Sequence, residues 1–141
     1  MVHSGGMAEA APTPPPITVK SEGVVVGVFS AIAVAFHFWD ILEFPESYER
    51  GQHSLPSILM GLTVWLGQGV WVSMDRRRRG REVGSWRFLV LFLGPLAVWF
   101  YIFIEYRSRA ILVFLLSLVP YMIVLAFPPL VAALLGLLRF A

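Results

Sequence analysis

The sequence predicts an all-α, polytopic membrane bundle of four transmembrane helices. Three observations carry this prediction. Hydrophobic residues make up 57% of the 141-residue chain and charged residues only 14%, about half the charged share of a soluble domain. Side chains this apolar need lipid as part of their solvent. Four apolar stretches reach the roughly 17–25 residues that a bilayer crossing requires. The charges are gathered between them, above all in Arg76, Arg77, Arg78, Arg79, Arg81 and Arg87.

Residues 1–22, with Pro12, Pro14, Pro15 and Pro16, read as a disordered, Pro-rich cytoplasmic tail. They lack the basic segment and apolar core of a signal peptide. Met7 is an alternative to Met1 as the start. Such a tail acts as a spacer or docks an SH3-like groove.

Residues 23–141 then form the membrane domain. The first span runs from about Gly23 to Leu42. The second runs from Leu55 to Met74, with Ser54 as its N-cap and Pro56 in its first turn. The third covers residues 87–105 and carries Gly94-Pro95 mid-membrane, where the proline removes a backbone hydrogen bond and a kink is expected. The fourth runs from Ala110, capped by Ser108, to Phe127. Pro128-Pro129 is expected to break this last apolar stretch. That leaves an apolar segment at 130–140, read as interfacial, re-entrant or a kinked continuation.

Orientation follows from the arginines. Carrying them across hydrocarbon is costly, so the run from Arg76 to Arg87 stays on the cytoplasmic face. With four spans the chain is N-in and C-in. Lys20, the arginine run and Arg139 then lie inside, and Arg50, Arg107 and Arg109 outside. Among the aromatics, Trp39, Tyr48, Trp99 and Tyr106 fall near the outer boundary, and Trp71 and Trp86 near the inner one. The inner (cytoplasmic) membrane of the cell is the expected location.

Packing has its own pattern. Gly23, Gly27, Ala31 and Ala35 recur every four residues, a ridge of small residues that lets another backbone approach closely. On the second span Ser57, Gly61, Gln68 and Asp75 share one face. That face should meet protein, with Gln68 as an interhelical hydrogen-bond anchor. Gly94 and Pro95 shape the third span.

His37 and Asp40 are the sharpest candidates for chemistry. Three residues apart, they share a helix face near the outer end of the first span, and Glu105 lies at comparable depth on the third. Ionisable groups inside a span often mark proton, ion or substrate paths, and a His–carboxylate pair can relay protons. The competing reading gives His37 one hydrogen bond within the bundle and lets both carboxylates reach the interface. The lack of cysteine excludes disulfides, thiolate nucleophiles and Cys-ligated metals. With His37 as the only intramembrane histidine, a bis-His haem within one subunit is not expected. No Walker A, nucleophile-elbow or HExxH pattern occurs. No cofactor and no metal are therefore expected. The arginine run is read as an orientation device that also touches anionic headgroups. It lacks the aromatics and module of a nucleic-acid site, so no nucleic-acid partner is expected.

The segment with Gly69, Trp71, Asp75, the basic stretch with Gly80, Trp86, Leu93-Gly94-Pro95-Leu96 and Tyr101 resembles a hairpin of small bacterial inner-membrane proteins. It is similar in pattern to the last hairpin of the abscisic-acid-deficient (neoxanthin-synthase-type) family and to the N-terminal hairpin of cardiolipin synthases. The resemblance covers about 35 residues and implies carotenoid or lipid chemistry. No catalytic residue carries over, because Trp65 and Leu66 stand where the first family has its polar His and Asp. Taken together, the residues predict a non-enzymatic accessory or interaction subunit, with a membrane partner or a second copy of itself. The alternative is a membrane enzyme or proton-coupled transporter of a lipid-soluble or small substrate, using His37, Asp40 and Glu105.

Overall fold

The computed structural model describes residues 16–46 and 50–136. Most of the tail, Tyr48 and Arg139 lie outside the described residues. The order is α1 (Val19–Glu43), α2 (Leu55–Arg78), α3 (Trp86–Leu93), α4 (Pro95–Tyr106), a 3₁₀ turn at Arg107–Arg109, and α5 (Ala110–Leu134). Among the described residues, three helical stretches are long and apolar enough to cross a membrane, namely Val19–Glu43, Leu55–Arg78 and Pro95–Leu134, the last containing α5. The chain is thus a membrane protein by length and composition, with three such stretches where four are predicted. Many of its large apolar side chains point outward, with Phe92 85% and Leu134 79% exposed, as lipid rather than water would favour.

Local chemistry sets the helix starts. Thr18 and Ser21 form a capping box at α1, so the helix begins at Val19, inside the expected tail. Ser54 and Ser57 do the same at α2, with Pro56 in the first turn. Ser108 does not cap α5. It sits within the 3₁₀ turn, and Arg109 holds the cap position without a side-chain hydrogen bond.

The expected third span is divided. Gly94 has φ 55° and ψ −131°, a conformation open to glycine but strained for residues with a Cβ. The chain reverses there. In one straight helix Trp86 and Tyr101 would stand about 22 Å apart; instead their ring centroids are 5.1 Å apart, edge to face. The eight residues of α3 and twelve of α4 reach only about 12 and 18 Å at 1.5 Å per residue. Backbone irregularity at this depth is tolerated where protein covers it. Gly94 is buried beside Trp65, whose indole Nε1 donates to the Val90 carbonyl at 2.7 Å.

The core lies between the second half of α2, this hairpin and the start of α5. Val72, Val90, Ala97, Val98, Tyr101 and Ile102 fill it, flanked by Trp71, Trp86 and Phe114. The tightest backbone approach is at Gly67, where a Cβ would stand 2.9 Å from Phe29. The Gly23, Gly27, Ala31, Ala35 ridge is exposed, and among the described residues a Cβ at Gly23, Gly27 or Gly61 would meet open space.

Pro128-Pro129 does not break α5, which runs unbroken to Leu134. The reason lies on α1. Pro128 has no N–H to offer the carbonyl four residues earlier, that of Val124. His37 Nδ1 donates to that carbonyl at 2.7 Å. A neighbouring helix thus satisfies the group the proline frees, which is how proline survives inside membrane helices.

Candidate functional site

The arginine run meets a set of acids that charge counting alone does not pair with it. Asp75 is fully buried near the end of α2. Tyr101 Oη donates to its Oδ2 at 2.5 Å and Tyr106 Oη to its Oδ1 at 2.9 Å. Arg78 Nη2 lies 2.5 Å from Oδ1, and Arg79 Nε 3.0 Å from Oδ2. Arg79 also stacks over the Tyr106 ring at 4.0 Å. Burial opposes the charge on Arg79, but Tyr106 and Asp75 hold its pKa above the ordinary guanidinium value, so it stays cationic.

Two more carboxylates close the cluster. Glu105, near the end of α4, is bonded to Arg76 at 2.7 Å and also to Arg81. Glu22, in the first turn of α1, meets Arg78 Nε at 2.5 Å. Arg76 Nε donates to the Glu82 carbonyl at 2.7 Å, folding the loop back. Three acids from three helices thus hold Arg76, Arg78, Arg79 and Arg81, while Arg77 and Arg87 point outward. The edges of Trp71 and Trp86 flank the Tyr101 ring at 5.9 and 5.1 Å, contacts worth roughly 0.5–1.5 kcal/mol each beyond area burial.

The expected cluster of His37, Asp40 and Glu105 does not form. Glu105 sits at the arginine end, because the turn at Gly94 brings α4 back, and Tyr106 returns with it. His37 and Asp40 lie at the opposite end, near the last turns of α5, where Phe38 meets the edge of Phe127 at 6.1 Å. There Asp40 is buried and accepts a hydrogen bond from Ser54, tying the end of α1 to the cap of α2. His37, Asp40 and His53 line one shallow cleft. Among the described residues, no three His, Asp or Glu side chains stand close enough to hold a metal ion. Gln68 and Asp75 do face protein, but Gln68 finds no hydrogen-bond partner there.

No family model, curated protein or solved structure matches the chain. An acid whose two oxygens each meet a phenol and a guanidinium is a structural anchor. The same holds for the bond between His37 and Val124, whose role can be isolated. His37→Ala should cost about 1–3 kcal/mol, the penalty of orphaning a buried carbonyl. In a Pro128→Ala background the backbone N–H returns, and the same substitution should cost well under half as much. Unfolding in mixed micelles measures both, and equal costs in the two backgrounds would remove the link between His37 and Pro128.

Proposed function

We propose that the chain is a non-enzymatic accessory or interaction protein of the inner (cytoplasmic) membrane. The observation that carries this reading is that its buried carboxylates and His37 are engaged by other groups of the protein. Asp75, Glu105 and Glu22 bind arginines, Asp40 binds a helix cap, and His37 binds a carbonyl. Groups so engaged hold a fold together rather than await a substrate.

In this proposal α1, α2 and α5 span the bilayer, and α3–α4 is a hairpin that enters and leaves by the cytoplasmic face. The described start of the chain is then inside and the end of α5 outside, in place of four spans with both ends inside. The Lys and Arg distribution supports it. Lys20, the run from Arg76 to Arg87, Arg107 and Arg109 gather at one end of the described chain, leaving Arg50 at the other. That is a sharper positive-inside bias than four spans allow. Arg77 and Arg87, exposed at that face, would meet anionic headgroups at about 1 kcal/mol per side chain near the surface.

The exposed ridge of Gly23, Gly27, Ala31 and Ala35 suits close approach by a partner helix or a second copy. Photo-crosslinking side chains at Gly27 and Ala31, in native membranes, should yield a discrete protein adduct. The same group at the lipid-facing Leu115 on α5 should not. Only lipid adducts at both ridge positions would sink the accessory reading. The second reading, an outer-face enzyme or transporter, draws its support from the cleft shared by His37, Asp40 and His53; Glu105 is not available to it.

A further inference from the structure

We propose that the groove between α1, α2 and α5 binds a neutral lipophilic molecule whose polar end is a carbonyl or hydroxyl group. The groove encloses about 350 Å³, within the range of sites that hold small organic ligands. Its walls are largely apolar, with Phe29, Val64, Trp71 and Val113 among them. Its polar lining includes Gln68 and Tyr121, besides Glu22, Ser30 and Ser117. The Gln68 amide oxygen and nitrogen and the Tyr121 hydroxyl are buried and make no hydrogen bond within the described residues.

Buried polar groups are rarely left unpaired, because leaving them so forfeits the hydrogen bonds that water would have made. The contrast inside this chain is pointed. His37, Asp40 and Asp75 all have protein partners at similar burial, whereas Gln68 and Tyr121 share one cavity and have none. Together they offer an amide acceptor, amide donors and a phenolic hydroxyl. That set satisfies a neutral carbonyl or hydroxyl and supplies no countercharge. The carboxylate on the groove, Glu22, is already held by Arg78 at 2.5 Å. An ionised ligand would therefore be buried without compensation, which is strongly unfavourable. The proposal does not depend on the accessory reading, since its polar contacts are Gln68 and Tyr121, which belong neither to the exposed ridge nor to the arginine cluster.

Trp71 makes the site observable, because quinones quench indole fluorescence on contact. The probe is a benzoquinone bearing a decyl chain, titrated against the full chain in detergent micelles, with decylbenzene as the carbonyl-free control. Quenching should saturate, and Trp71→Phe should remove the saturating component. Gln68→Leu and Tyr121→Phe should each weaken the midpoint about three- to tenfold, as loss of one hydrogen bond implies. Decylbenzene should displace the quinone weakly and with the same midpoint in all variants. Quenching that rises without saturation, as simple partitioning into the micelle gives, would overturn the proposal. So would saturable quenching with midpoints unchanged in both variants, which would leave the polar pair to water. Tyr121→Phe removes a single oxygen and decides the matter alone should Gln68→Leu fail to fold.

Discussion

Asp75→Ala is expected to destabilise the protein by about 3–5 kcal/mol, the usual cost of removing one partner from a buried ion pair. The lower part of that range is favoured by the fate of the cations. Arg78 and Arg79 keep 28% and 27% of their side chains exposed, and Arg78 retains Glu22, so both can recover some hydration. Tyr101 cannot. It is fully buried, and its hydroxyl would lose its acceptor between Trp71 and Trp86. Asp75→Asn should recover only part of the loss, because its amide nitrogen would face a donor that the second carboxylate oxygen had accepted. Glu46→Ala, which breaks the exposed pair with Arg50 at 3.3 Å, should change stability by less than about 1 kcal/mol. Unfolding midpoints of the three variants in one detergent test the ordering. An Asp75→Ala protein as stable as Glu46→Ala would mean that the cluster is not formed in the membrane.

The apolar character of the chain and its first two helices are legible from composition and spacing, and so is the cap at Ser54. These depend on nearby residues. The hairpin is less legible because its apolar stretch is long enough to cross as one helix. Two signals stood in the sequence. Gly94-Pro95 divides the stretch into pieces too short to span, and Arg107 and Arg109 are two arginines that a four-span topology leaves outside. A kink and a full reversal share the same Gly-Pro signature, so only contacts across the turn separate them. Asp75 shows the same limit. Its place on a buried stripe is readable from periodicity, but its two tyrosine partners lie 26 and 31 residues away. Pro128 looks like a helix breaker until His37 on another helix is seen to take up the carbonyl it frees. What sequence reasoning missed in each case is a long-range polar contact, which no local period encodes.

Glu105→Ala carries the second large effect and tests the reversal directly. Glu105 has a side chain only 3% exposed and is paired with Arg76, itself 14% exposed, so its loss should also cost about 3–5 kcal/mol. The more telling quantity is coupling. If α4 returns to the arginine end, Glu105→Ala and Arg76→Ala should be non-additive by roughly 0.5–3 kcal/mol in a double-mutant cycle. If residues 87–105 cross the bilayer in one piece, the two side chains stand about 27 Å apart and the effects should add within about 0.5 kcal/mol. Topology supplies an independent arm, helped by the absence of native cysteine. Single cysteines at Gln52, Ser85 and Ser108, all exposed positions, can be probed in oriented vesicles with a membrane-impermeant maleimide. Ser108→Cys should label from the same side as Ser85→Cys and opposite to Gln52→Cys. Labelling of Ser108→Cys together with Gln52→Cys, with additive energetics, would restore the four-span arrangement and return Glu105 to the end where His37 and Asp40 lie.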